Sequence, residues 1–134
     1  MSDTIKHPYD SRATAEEHSV VHELIPADRV KGTAVFNMDG ERLGHVEDIV
    51  VHKVSGRVAY AIMAFGGFLG IGELYHPLPW SMLKYDVRKE GYIVPLDRKA
   101  LEEAPTIERP QFGAADLVWS PSVLAYYGVA PLWL

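Results

Sequence analysis

The sequence predicts a mainly β fold: a small antiparallel barrel of five to six strands, a short helix after the last strand, and an aromatic, partly helical C-terminal extension. Three observations point there. Turn signals recur at short intervals between residues 25 and about 108, too close together for anything but short strands joined by hairpins. One of the segments between them, Arg57–Phe65, is apolar on both of its alternating faces. The chain of 134 residues is 48% hydrophobic and has no cysteine, so a packed core rather than disulfides or a thiolate zinc site must hold it.

The elements follow from the turns. Asn37-Met38-Asp39-Gly40 carries the Asp-Gly signal of a tight turn, where glycine takes positive φ without a Cβ clash. Arg29–Phe36 is expected to lead into it as a strand and Glu41–Val54 to lead out. Ser55-Gly56 turns the chain into Arg57–Phe65. The glycine-rich connection 66–72 then delivers it to Leu74–Trp80, where Pro77 and Pro79 predict an edge or bent strand because neither can donate a ladder hydrogen bond. Arg88-Lys89-Glu90-Gly91 joins the last two strands, Leu83–Val87 and Tyr92–Leu96. Asp97 reads as the N-cap of a helix over Arg98–Glu103 that ends before Pro105. Pro121 suits the first turn of a helix over Ser120–Tyr127.

Arg57–Phe65 is the sharpest structural clue. One face carries Val58, Tyr60, Ile62 and Ala64, the other Ala59, Ala61, Met63 and Phe65. A half-buried antiparallel strand should show one polar face. A barrel interior covers one side only, so either the C-terminal segment or a second copy of the chain must cover the other.

Composition divides the chain into a polar, acidic segment over 1–24, a barrel over 25–108, and an extension over 109–134. The formal charge of -5, from 13 Lys+Arg and 18 Asp+Glu, argues against a general nucleic-acid binder, whose affinity comes from phosphate neutralisation. No apolar run follows the N-terminus as in a secretory signal. The longest uncharged apolar stretch, 58–72, is fifteen residues long and broken by four glycines, short of the roughly 20 a spanning helix needs. A cytoplasmic protein is expected.

Lys31-Gly32-Thr33-Ala34-Val35, Gly40-Glu41-Arg42-Leu43-Gly44, Val46-Glu47-Asp48-Ile49-Val50, Val54-Ser55-Gly56-Arg57-Val58-Ala59-Tyr60-Ala61, Gly66-Gly67-Phe68-Leu69-Gly70-Ile71-Gly72 and His76-Pro77-Leu78-Pro79-Trp80 occur in this order. Together they resemble the PRC-barrel family, named after the photosynthetic reaction centre H subunit, over about residues 28 to 108. The ending Tyr126-Tyr127-Gly128-Val129-Ala130-Pro131-Leu132-Trp133 is similar to that of stand-alone bacterial members. The resemblance implies an SH3-like barrel used for binding and assembly rather than catalysis, with no cofactor. Two specialised roles occur among relatives: a subunit of a membrane photosynthetic or electron-transfer complex, and a domain of a ribosome-maturation factor. Neither the anchor of the first nor the N-terminal domain of the second is expected here, so a soluble accessory subunit of such a membrane complex and a ribosome-maturation adaptor stand as the alternatives to a self-associating binding module.

Weighed for chemistry, the sequence yields binding surfaces rather than a catalytic constellation. The 66–72 stretch lacks the spacing of a phosphate-binding loop. It is either a wide hairpin packed on its own chain or a contact that offers Phe68, Leu69 and Ile71 to a partner. Tyr126, Tyr127 and Trp133 either pad the outer barrel face or anchor an interface. These six are the candidates for self-association as a homodimer or for partner contact.

His18 and His22 have a helical ligand spacing but lack a protease-type glutamate, so a solvated face is favoured over a metal site. His45 and His52 should face opposite ways on one strand if no bulge intervenes, and the adjacent Glu47 and Asp48 should also face opposite ways. His76 is expected to be structural. Ser81-Met82-Leu83-Lys84 matches an acyl-transfer spacing by chance, since its companion motifs are missing.

Overall fold

The computed structural model describes residue 14 and residues 23–65, 74–113 and 117–134. A single turn of helix, α1 (Ala27–Val30), precedes β1 (Ala34–Phe36), β2 (Arg42–Val51) and β3 (Val58–Phe65). Then come β4 (Tyr75–Pro79), a 3-10 turn over Trp80–Met82, β5 (Lys84–Asp86) and β6 (Gly91–Ile93). Helix α2 (Arg98–Glu103), a second 3-10 turn (Arg109–Gly113) and helix α3 (Ser120–Tyr127) complete the chain.

The strands form one six-stranded sheet in the order β4-β3-β2-β1-β6-β5. Two corrections to the expected antiparallel barrel follow. The hydrogen-bonded sheet is open, with β4 and β5 at its edges, and β1 pairs with β6 in parallel, Val35 opposite Tyr92. That parallel pairing depends on Gly91, because a Cβ there would lie 2.6 Å from the Ala34 carbonyl oxygen and 2.7 Å from the Phe36 ring. The expected strand from Arg29 is also shortened. Pro26 starts a helical turn, and Gly32, at φ +88°, redirects the chain so that its N–H reaches the Val46 carbonyl at 2.7 Å before β1 begins.

The predicted turns are in place. Asn37 Oδ1 accepts from the N–H groups of Asp39 and Glu41 at 3.0 and 2.8 Å, and Gly40 takes φ +85°. This side-chain turn mimic is what Asn at the head of a hairpin supplies. Gly56 takes φ +76°. Asp97 caps α2 through Ala100 N at 2.7 Å, and Pro121 sits in the first turn of α3. Strand β4, with both prolines, is indeed an edge strand. Its outer side is bridged at Tyr75 by Ile107 through two backbone bonds of 2.9 and 2.8 Å.

Strand β3 has buried side chains on both faces, as its composition requires. Ala61 and Met63 point into an inner core with Val35, Leu43, Val46 and Leu101. Tyr60, Ile62 and Ala64 point into an outer core closed by Tyr75, Ile107, Trp119 and Val123. The second layer over the sheet is thus the chain's own C-terminal segment. Tyr127 touches both clusters.

Candidate binding site

Two adjoining clefts open where the β2–β3 hairpin meets the end of the C-terminal segment. The first, about 300 Å³, is lined by Arg57, Ala59, Trp80, Ser81, Leu132 and Trp133. The second, about 530 Å³, is lined by Val50, Lys53, Val54, Leu117, Ser120 and Trp133, among others. Ala59 and Trp133 belong to both, so the indole forms the wall between them.

Each wall has a local cause. The hairpin is set by His52, whose backbone N–H reaches the Arg57 carbonyl and whose carbonyl accepts from Gly56 N–H, at 2.8 and 2.9 Å. The Ser55 N–H donates to His52 Nδ1 at 3.1 Å, so a neutral imidazole here carries its proton on Nε2. Trp133 stacks obliquely on Tyr60 at 5.2 Å between ring centres, and Trp119 meets the same ring edge-on at 5.0 Å. The Tyr60 hydroxyl is hydrogen-bonded to Ser120 Oγ at 2.5 Å, which ties the start of α3 to β3. Burial raises the Tyr60 pKa, and the Ser120 bond opposes this, so the phenol stays neutral. Arg57 Nη1 donates weakly to the Leu132 carbonyl at 3.4 Å.

A second polar cluster fastens the 3-10 turn at Arg109 to β2 and β4. Arg109 Nη2 donates to Glu47 Oε1 at 2.6 Å and to the Tyr75 hydroxyl at 2.7 Å, while His45 Nε2 lies 3.0 Å from Glu47 Oε2. The Arg109 hydrogen bond is the largest influence on the Glu47 carboxyl and holds it below its ordinary range, outweighing desolvation. A bulge between Val46 and Asp48 interrupts strict alternation here. Asp48 turns to cap Ile49 N at 2.8 Å and stands 3.9 Å from Lys31. These are ion pairs that hold elements together, with no nucleophile among them.

The sequence candidates fall in different places. Phe68, Leu69 and Ile71 lie outside the described residues, as do His18 and His22. Trp133 lies at the centre of the cleft. Tyr126 is 47% exposed, with its hydroxyl donating to the Ala100 carbonyl at 3.4 Å. Tyr127 has its hydroxyl buried without a hydrogen-bond partner, and burial, with Tyr126 beside it, pushes its pKa well above the usual tyrosine range. His76 is buried against the edge of Phe65, with Nδ1 unpartnered, and desolvation lowers its pKa.

Ser81 lines the first cleft, and no hydrogen bond joins it to Lys84 among the described residues. No group of three or more His, Asp or Glu among them could hold a metal. Trp80, Arg57 and Lys53 were missed as site residues. The only sequence signal for the cations was their position flanking the Ser55-Gly56 turn.

Fold and site together define a small β-sheet domain with an apolar cleft and no assembled catalytic group among its described residues. A family model for the PRC-barrel domain matches residues 22–101. The chain belongs to the PRC-barrel family, a family of non-catalytic, protein-interacting domains. No curated protein matches the sequence. Trp133 and the rest of the outer layer from Ile107 onward lie beyond the matched residues. No helix among the described residues is long and apolar enough to cross a membrane.

Proposed function

We propose that this chain is a non-catalytic binding and assembly module whose partner face is the pair of clefts around Trp133. The observation that carries the reading is the pairing of concave, largely apolar walls with a rim left open to solvent: Val54 is 91% exposed and Leu132 63%. Exposed apolar surface of this kind, gathered at a concavity, is a mark of interaction sites. The family supports the same class of activity. The PRC-barrel domain over 25–108, which this reading takes as SH3-like, supplies the frame. The extension over 109–134 supplies the indole.

Self-association as a homodimer belongs to the proposal and rests on Phe68, Leu69 and Ile71, three large apolar residues in the glycine-rich connection between β3 and β4. Tyr126, half exposed on α3, is a further contact candidate. The compartment that goes with this reading is the cytoplasm, with any membrane attachment made through a partner.

Affinity capture from the native organism, read by mass spectrometry for wild type and Trp133→Ala side by side, tests the partner face. Proteins lost with the indole support it, and an identical set of proteins overturns it. Light scattering behind size exclusion tests the dimer, which a strict monomer at high concentration, unaltered by Ile71→Asp, would exclude.

A further inference from the structure

We infer that the Trp133 clefts take an acidic protein segment bearing apolar side chains. The inference rests on the reading of this face as the binding site and adds the chemistry of its occupant. The charge around the clefts is inverted relative to the chain. The protein carries a net -5, yet among the described residues the formally charged side chains lining the two clefts are Arg57 in the first and Lys53 in the second. No Asp or Glu among the described residues lines either.

Both cations are exposed, and neither has a carboxylate partner among the described residues. Arg57 makes only the 3.4 Å bond to a backbone carbonyl. Lys31, Arg98 and Arg109 do find carboxylates, in Asp48, Glu41 and Glu47. Arg57 and Lys53 stand without one at the point where apolar surface is also left open. His52 adds a donor at the same rim, since its Nδ1 is taken by Ser55.

The occupant must match both features. Its apolar side chains enter the two recesses on either side of an indole, and its carboxylates meet guanidinium and ammonium at the mouths. Arginine in particular favours bidentate carboxylate pairing. An anionic membrane surface matches the cations but not the recesses, and it repels a chain that is acidic overall. A short extended peptide fits both.

The test is fluorescence anisotropy on the full chain with a labelled peptide alternating Glu and Leu. Two control peptides replace every Glu by Lys or every Leu by Ser, and phosphatidylserine vesicles serve as the lipid probe. The Glu/Leu peptide is expected to bind roughly ten-fold or more tightly than either control. It is also expected to weaken with added salt. Lys53→Glu with Arg57→Glu, both at exposed positions and checked for an unchanged melting temperature, should cost a comparable factor.

Binding of the Lys peptide in preference, or indifference to the double charge reversal, overturns the charge assignment. If Trp133→Ala still abolishes that binding, the partner face itself stands. Binding of vesicles but not of the Glu/Leu peptide overturns the proposal in favour of lipid. Failure of all peptides, with capture unaffected by Trp133→Ala, removes the partner face as well.

Discussion

Val123→Ala tests whether the C-terminal layer is part of the same cooperative structure as the sheet. Val123 is fully buried in the outer cluster, against the face of β3 that carries Tyr60, Ile62 and Ala64. The substitution removes two methyl groups, worth about 1.6 kcal/mol in transfer from water. The space they leave is walled by Trp119 and Tyr60, rings already fixed by their own contacts, so it cannot collapse fully. The cavity raises the cost to roughly 2–3 kcal/mol. For a chain of 134 residues, unfolding entropy of about 2.1 cal/mol/K per residue turns this into a fall in Tm of roughly 7–11 °C.

The assay is thermal unfolding followed in parallel by far-UV circular dichroism and tryptophan fluorescence. Val118→Ala is the control, because Val118 is 74% exposed and its loss should stay within about 0.5 kcal/mol. If α3 covers β3 as described, both signals shift together. Two separate transitions, with the sheet melting at its original temperature, would refute the packing argument. A shift no larger than that of Val118→Ala would refute it equally.

Two further outcomes concern pH. The folded Glu47 carboxyl titrates below its ordinary 4.5, so its contribution to stability is complete above that value and is lost as pH falls through the lowered one. Arg109→Met should therefore be less stable than wild type near neutral pH and should show a shallower loss in urea melts from about pH 5 down to pH 3; parallel curves would exclude the ion pair as the source. His76 is held neutral by burial, its folded pKa lying below the ordinary 6.5. Its stabilising contribution is then present above 6.5 and declines as pH falls toward the lowered value. His76→Phe, which removes the unpartnered Nδ1, should match or exceed wild-type stability at about pH 7 and flatten the curve below about pH 6.5. An unchanged pH slope would show that another group is responsible.

What was legible in the sequence was mostly local. Gly40 and Gly56 sit in positive-φ turns because no other residue enters that region so easily. Asp97 caps the next helix with its own carboxylate. The two-faced burial of β3 was legible because alternation is set by the strand itself and needs no knowledge of neighbours. The parallel β1–β6 pair was hidden, since it joins residues far apart in sequence and depends on the close approach allowed at Gly91. The bulge after Val46 broke the alternation on which the pairing of Glu47 and Asp48 was judged. Arg109 meets Glu47 across 62 positions, a distance at which no spacing rule operates. The one-turn helix Ala27–Val30 is too short to show a period.

The apolar surplus of the sequence lies under the first of its two expected covers. The outer face of β3 needed either the C-terminal segment or a second copy, and Trp119, Val123 and Ile107 of the same chain bury it. This removes the β3 argument for a dimer and leaves self-association resting on the 66–72 connection and on Tyr126. The same covering layer creates a new concavity, because Trp133 stands between two recesses beside the β2–β3 hairpin. Val51, Val54, Leu132 and Leu134 are exposed. An apolar rim is costly to leave in water, and the two exposed cations beside it favour an oppositely charged chain as its cover. The segment that makes the fold self-sufficient in its core is thus also the one that builds its binding face.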